Sequence, residues 1–77
     1  MKILIAEDDP SLRRVLVALL EKSNYSTDAV ADGLEALEYL RVGSYDGAIL
    51  DIMMPKMDGF QVLSTIRQEK NTVPVLM

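Results

Sequence analysis

The stretch "YDGAILDIMMPKMDGFQVL", residues 45–63, decides the fold of this 77-residue chain and frames its chemistry. Residues 45–51 form an apolar run that predicts a strand buried on both faces, and the run ends at Asp51. A turn-forming segment with Pro, Asp and Gly follows, and residues 60–70 then space apolar side chains by threes, which predicts a helix. An ionised carboxylate is costly to bury, so Asp51 needs a reason to stand at the end of so apolar a strand.

The same alternation of short apolar runs and amphipathic stretches fills the rest of the chain. Asp9 before Pro10 predicts a helix N-cap, and Asp32 with Glu35 three residues later predicts a capping box. The predicted strands are 2–6, 26–31, 45–51 and 73–77, and the predicted helices lie within 9–25, 32–40 and 60–70. This β-α-β-α-β-α-β order predicts one α/β domain with a parallel sheet and right-handed crossovers.

The composition excludes several chemistries. The chain has no Cys and no His, which removes disulfides, Cys-based zinc sites, imidazole ligands and Ser-His-Asp triads. Its formal net charge of −4 argues against the basic surface of a nucleic-acid-binding domain. The longest apolar run, residues 15–20, is far too short to span a bilayer, and acids stop the N-terminal run before a secretory signal is complete. We therefore predict a cytoplasmic domain that binds neither nucleic acid nor membrane.

Acidic side chains follow two of the predicted strands. Glu7, Asp8 and Asp9 come directly after the first strand, and Asp51 ends the third. If these strands are neighbours, their carboxylates converge at one edge of the sheet, where repulsion disfavours full ionisation unless a cation is bound. Few, hard oxygen ligands are typical of Mg²⁺ sites. Asp9 also has a simpler interpretation, because an acid before a helix commonly only caps it.

Three segments carry a resemblance to a known family. "ILIAEDDP" (3–10), "ADGLEAL" (31–37) and "YDGAILDIMMPKMDGFQVLSTIR" (45–67) resemble the receiver domain of bacterial two-component response regulators. The amino-acid sequences of these segments most resemble those of the subfamily whose receivers precede a winged-helix DNA-binding domain. The resemblance implies a flavodoxin-like, doubly wound sheet with strand order 2-1-3-4.

The resemblance also implies roles for particular residues. Asp51 corresponds to the phosphoacceptor, which takes a phosphoryl group from a sensor histidine kinase with Mg²⁺ as cofactor. Glu7 and Asp8 correspond to the acids of the metal site, together with Asp51 and the backbone carbonyl of Met53. The implied protein is a signalling domain that controls output, with transcription as the implied output of the full-length protein, and it is not an enzyme beyond its own phosphorylation.

Part of the loop after Asp51 also matches the family. Pro55, Asp58 and Gly59 match the residues that shape the site. Lys56 in the same loop could be mistaken for a phosphate-binding lysine, and we interpret it as a solvated loop charge.

The resemblance covers the N-terminal two thirds of a receiver. Residues 1–77 are therefore expected to form a partial receiver domain that lacks the fourth helix, the fifth strand, the fifth helix and any effector domain. Such a chain leaves strand four as an open edge and part of one sheet face bare. We expect it to form a homodimer through that edge or that face.

Three other interpretations of the sequence are possible in principle. An aspartyl-nucleophile phosphotransferase usually carries a D-x-D pair after its first strand, whereas this chain has E-D-D there. A nucleotide-binding domain lacks support, because neither G-x-x-x-x-G-K-[ST] nor G-x-G-x-x-G is present. The remaining alternative is a receiver fragment that is not phosphorylated and acts only in dimerisation or assembly.

Overall fold

The computed structural model describes residues 1–77 and contains four strands and three helices in strict alternation. The elements are β1 (Lys2–Ala6), α1 (Pro10–Lys22), β2 (Ser26–Val30), α2 (Gly33–Val42), β3 (Gly47–Leu50), α3 (Gly59–Gln68) and β4 (Val75–Leu76). All strand pairs are parallel, and the strand order is β2-β1-β3-β4. This confirms the predicted flavodoxin-like sheet with order 2-1-3-4.

The register of the central strands places the acidic residues at one edge. Ala6 pairs with Val30 on one side and with Leu50 on the other. The ladder continues one step further, because the Asp51 N–H donates to the Ala6 carbonyl at 3.0 Å. The residues that follow Ala6 and Leu50 therefore leave the sheet side by side, at the carboxyl end where ligands bind in open parallel sheets.

The hydrophobic core lies on the sheet face that α2 and α3 cover. Its members are buried apolar side chains from the sheet, from both of these helices and from the segment before β4: Leu4, Ala6, Val30, Ala36, Leu37, Leu40, Ala48, Leu50, Val62, Ile66 and Val73. Because successive strand residues point to opposite faces, Ile5 is buried on the other side, where α1 packs on β1 and β2. Met54 and Met57 are partly buried and pack against this core.

The face under α1 is only half covered. The apolar stripe predicted on α1 forms, but Leu12, Val15 and Leu19 remain 45%, 53% and 58% exposed. Beside α1 lies a groove of about 320 Å³ with mostly apolar walls, to which Ile49 of β3 and Leu76 of β4 contribute. No helix covers β3 and β4 on this side, so the predicted bare face is present in the structure.

The helix ends obey local rules. The Asp9 side chain accepts hydrogen bonds from the N–H groups of Ser11 (2.9 Å) and Leu12 (3.4 Å), which confirms it as the N-cap of α1. Asn24 follows the last turn of α1 with φ 68°, the left-handed conformation that stops helices. None of the three helices combines the length and apolar content needed to cross a membrane.

Several predicted boundaries were wrong by a few residues. Strand β4 has two residues rather than the five of 73–77, because Pro74 has no N–H and Val73 donates to the Asn71 side chain instead, at 3.0 Å. Strand β3 begins at Gly47 rather than residue 45. Smaller shifts affect the other elements, of which α2 runs on to residue 42, α3 covers 59–68 and β2 ends at 30.

Candidate functional site

Three carboxylates meet where β1 and β3 end. The structure places one ligand oxygen from each of Glu7, Asp8 and Asp51 within 4.8 Å of the other two. The pairing of Ala6 with Leu50 produces this cluster, because the next residue of each strand emerges at the same point of the sheet edge. Asp9, the fourth acid considered, caps α1 instead and is not a member of the cluster.

Glu7 is the most enclosed member, with only 6% of its surface exposed. Burial raises the pKa of its carboxyl above the ordinary value, the charges of Asp51 and Asp8 act in the same direction, and a hydrogen bond from the Asp9 N–H at 3.1 Å opposes them. The backbone of Glu7 is held by Arg13, whose guanidinium donates to the Glu7 carbonyl at 2.8 Å. The cluster thus concentrates negative charge, which a bound cation would neutralise.

Gly59 brings the start of α3 against the backbone of Asp51, at the end of β3. A Cβ on Gly59 would lie 2.4 Å from the Asp51 carbonyl oxygen, which is too close for any other residue. The Gly59 N–H donates to the Ile52 carbonyl at 2.9 Å. Asp58 caps α3 through a complete capping box with Gln61, with bonds of 2.8 and 3.0 Å. These contacts fix the far end of the loop between β3 and α3.

We call residues 52–58, which lead from Asp51 to α3, the acceptor loop. The middle of this loop is held by α2. The Pro55 carbonyl accepts from the Met57 N–H at 2.7 Å and from the Gly33 N–H at 3.4 Å. The Lys56 side chain is 62% exposed, which agrees with a solvated loop charge, and its ammonium also lies 3.4 Å from an Asp32 carboxylate oxygen. The Met53 side chain, in contrast, points away from the protein and is 77% exposed.

The donor set suits a hard divalent cation. Three carboxylates without sulfur or nitrogen ligands match the preference of Mg²⁺ for oxygen, and so few of them leave room for its retained waters. Together with the open parallel sheet, they define a flavodoxin-like α/β domain with a candidate cation site at the carboxyl ends of its central strands.

Comparison with known proteins identifies the family. The chain belongs to the response regulator receiver domain family, which matches residues 3–77. The transcriptional regulatory protein TcrA of Mycobacterium tuberculosis is 38% identical over 77 residues, which are all of this chain and 30% of TcrA. The chain therefore spans about a third of the length of the curated relatives it matches.

Solved receiver structures share the fold. The receiver domain of a sensor histidine kinase from Pseudomonas aeruginosa PAO1, with a magnesium ion coordinated in its active site cleft, has a TM-score of 0.92 and 33% identity. The response regulator TrrA of Thermotoga maritima, in complex with Mg²⁺-BeF, has a TM-score of 0.91 and 36% identity. Both alignments cover 96% of this chain and 62% or 64% of the other.

Sequence reasoning missed several supporting contacts. It named Asp58 and Gly59 without the capping box or the close approach to Asp51 that they make. The signal for the capping box was present, since Asp58 and Gln61 are three residues apart before an apolar stripe. The contact of Lys56 with Asp32 carries no local signal, because it depends on how distant segments pack. Arg13 and Glu7 are only six residues apart, and their contact depends on the shape of the turn between β1 and α1.

Proposed function

We propose that this chain is the phosphoacceptor module of a two-component response regulator and that Asp51 is the residue phosphorylated. The observation that supports this proposal is the convergence of Glu7, Asp8 and Asp51 within 4.8 Å in a chain of the receiver family. Family membership favours this function over that of a fragment acting only in assembly. In this role the chain is a signalling domain and not a classical enzyme.

The chemistry is a transfer of one phosphoryl group to a carboxylate. An Asp51 oxygen attacks the phosphorus in line with the donor nitrogen of a phosphohistidine, the new O–P bond forms, and the imidazole leaves with the electrons of the broken N–P bond. Mg²⁺, when bound, neutralises charge on the phosphoryl oxygens. Glu7, Asp8, Asp51 and the Met53 carbonyl are the groups we assign to holding it.

The rest of the site serves this transfer by position. Burial and the Arg13 contact hold Glu7 at the strand end, and Gly59 keeps α3 close behind Asp51. Pro55, Asp58 and Gly59 thus keep their proposed role in shaping the loop.

The proposed partner is a sensor histidine kinase, and the proposed output is control of transcription by the longer protein, since relatives such as TcrA are transcriptional regulatory proteins. The cytoplasmic location, the absence of nucleic-acid binding by this segment and the homodimer stay predictions. The exposed stripe of α1 and the groove beside it support the homodimer.

Phosphorylation can be tested with a small donor. We expect the chain, incubated with acetyl phosphate and Mg²⁺, to gain the mass of one phosphoryl group, and Asp51→Asn to gain none. Asp46→Asn is the matched control, because Asp46 is an exposed aspartate at the opposite end of β3 and its loss should not alter labelling. Beryllofluoride with Mg²⁺ should perturb the amide resonances around residue 51 in wild type and in Asp46→Asn but not in Asp51→Asn. Undiminished labelling of Asp51→Asn contradicts the proposal.

A further inference from the structure

An ion pair joins the acceptor loop to the N-terminus of α2. Lys56 and Asp32 approach to 3.4 Å, and their side chains differ in exposure, at 62% and 10%. The Asp32 carboxylate also accepts the Glu35 N–H at 2.9 Å as the N-cap of α2. It is thus fixed in place by the helix, whereas the lysine reaches to it from the loop.

Lys56 holds an unusual backbone conformation. Its φ is 70°, and the hydrogen bond from the Met57 N–H to the Pro55 carbonyl closes a γ-turn around it at 2.7 Å. Turns of this hand are rare and strained for residues with a side chain, and they persist where the surroundings enforce them. Lys70, after α3, also has a positive φ, 65°, but forms no ion pair.

The backbone of α2 touches the loop at the same place. The Gly33 N–H donates to the Pro55 carbonyl, and a Cβ on Gly33 would lie 1.8 Å from the Met57 carbonyl oxygen. The turn at Lys56 is therefore supported on one side by the α2 backbone and tied to it by the Lys56 side chain. Met53, the backbone ligand assigned under the proposed function, lies three residues before Lys56 in this loop.

We propose that Asp32 and Lys56 are a positioning pair that holds the acceptor loop against α2 and thereby sets the geometry of the cation site. The proposal rests on the proposed function, because it assigns the pair a purpose at that site. Neither residue contacts the cation or the phosphoryl group. Each acts through the loop that carries the Met53 carbonyl.

The size of the effect follows from the exposure of the pair. Partly exposed ion pairs are weak, so loss of this one should weaken Mg²⁺ binding by about two- to fivefold rather than abolish it. The pKa of Asp32 is lowered first by the Glu35 N–H and then by Lys56, which agrees with the lysine as a secondary partner of a carboxylate already held by its helix.

Two substitutions separate the ion pair from the fold. Asp32→Asn keeps the N-cap, since Asn caps as well as Asp, but removes the charge. Lys56→Gly removes the ammonium and relieves the left-handed backbone, so it does not threaten folding. Lys70→Gly is the control, because it also replaces a lysine of positive φ by glycine, at a place where no ion pair exists. Lys56→Arg keeps the charge.

The measurement is the Mg²⁺ dissociation constant of each variant, from NMR or calorimetric titration of the 77-residue protein. We expect a two- to fivefold rise of about equal size for Asp32→Asn, Lys56→Gly and the double variant, since both singles break the same contact. We expect wild-type affinity for Lys70→Gly and near wild-type affinity for Lys56→Arg. Unchanged affinity of Lys56→Gly, with wild type binding Mg²⁺, overturns the positioning pair and leaves the proposed function standing.

A second readout needs no metal. The Gly59 N–H donates to the Ile52 carbonyl, at the start of the acceptor loop. Without Mg²⁺, Lys56→Gly should speed hydrogen exchange of this amide by about two- to fivefold, whereas Lys70→Gly should leave it unchanged. A wild-type protein that binds no Mg²⁺ contradicts the proposed function, and this exchange measurement then decides alone whether the pair holds the loop. Equal exchange in Lys56→Gly and wild type overturns the pair.

Discussion

Gly33, at the start of α2, packs so tightly against Met57 of the acceptor loop that a Cβ on Gly33 would lie 1.8 Å from the Met57 carbonyl oxygen. No rotamer change relieves such a contact, because the backbone fixes the position of a Cβ and the Met57 oxygen is itself a backbone atom. Gly33, 18 residues before Asp51 in the sequence, therefore sets the position of the loop that follows Asp51.

Gly33→Ala is expected to destabilise the protein, although alanine favours helices over glycine by about 1 kcal/mol. The methyl group must displace the acceptor loop or α2, and overpacking of this kind costs about 1–3 kcal/mol. Urea unfolding measures the loss. Gly47→Ala is the control, because its Cβ would meet the movable Cδ1 of Ile3 at 3.2 Å and should cost less. A Gly33→Ala protein as stable as wild type would show that the loop yields freely.

Glu7→Gln is expected to raise the free energy of unfolding at neutral pH when no metal is present. The raised pKa of Glu7 shows that its charged form is disfavoured in the fold, first by burial and then by the charges of Asp51 and Asp8. A neutral side chain of the same shape removes that cost. Thermal unfolding in metal-free buffer, with Glu35→Gln on exposed α2 surface as control, measures the gain.

With Mg²⁺ present, wild type should become more stable than Glu7→Gln. A ligand that binds only the folded state adds about 2.7 kcal/mol at one hundred times its dissociation constant. Wild type should gain this stabilisation, whereas Glu7→Gln and Asp8→Asn should gain far less. If Asp8→Asn responds to Mg²⁺ as wild type does, the cation does not bind at the carboxylate cluster.

Tyr45→Phe is expected to cost about 1–2 kcal/mol at neutral pH, because the Tyr45 hydroxyl donates to the Asp28 carboxylate at 2.6 Å. That hydrogen bond is the main reason why the pKa of Asp28 is lowered, with Lys2 adding to it against the opposing effect of burial. A lowered pKa contributes stability that is present above the usual Asp value of 3.8 and is lost as the pH falls through the folded value.

The difference between wild type and Tyr45→Phe should therefore be full at neutral pH and shrink well below pH 3.8. At the alkaline end, burial and the Asp28 bond raise the pKa of Tyr45, so wild type should lose stability as the pH rises above the usual tyrosine value of 10.0. Tyr39→Phe, at an exposed tyrosine of α2, is the control. A pH-independent difference would show that the bond does not involve the charged carboxylate.

The 77-residue chain is expected to self-associate. At roughly 25 cal/mol per Å², a few hundred Å² of the exposed face beside α1 is worth several kcal/mol, comparable to the whole stability of a small domain. Light scattering over a concentration series should show dimers for wild type and fewer for Leu19→Asp, whose side chain lies in the exposed stripe of α1. Val42→Asp, at an 89% exposed site on α2, is the control. A monomer at all concentrations contradicts the expectation.

The fold was predictable because its signals are local. Apolar runs of strand length, helical spacing and the cap at Asp9 each depend on residues close in sequence, and the alternation of elements then permits few topologies. The acids of the candidate site were predictable for the same reason, since Glu7 and Asp51 directly follow apolar strands. Strand four was overestimated because hydrophobicity does not reveal that Pro74 and the Asn71 side chain interrupt the ladder.

The supporting contacts were not predictable. The sequence offers 12 acidic and 8 basic residues, so nothing local shows that Lys56 pairs with Asp32 or that Tyr45 bonds to Asp28. These partners lie far apart in the chain and meet only after the helices pack on the sheet.

The sequence by itself determined the order of the elements, the positions of the caps and the acids that end the central strands. The spacing of apolar residues and the hydrogen bonds of helix caps involve only residues that are close in sequence. Only the tertiary structure decided the register that pairs Ala6 with Leu50 and so brings three carboxylates within 4.8 Å of one another. It alone decided that α2 supports the acceptor loop and that one face beside α1 stays open. Register and packing are set by contacts between distant segments, whose free energies compete across the whole molecule.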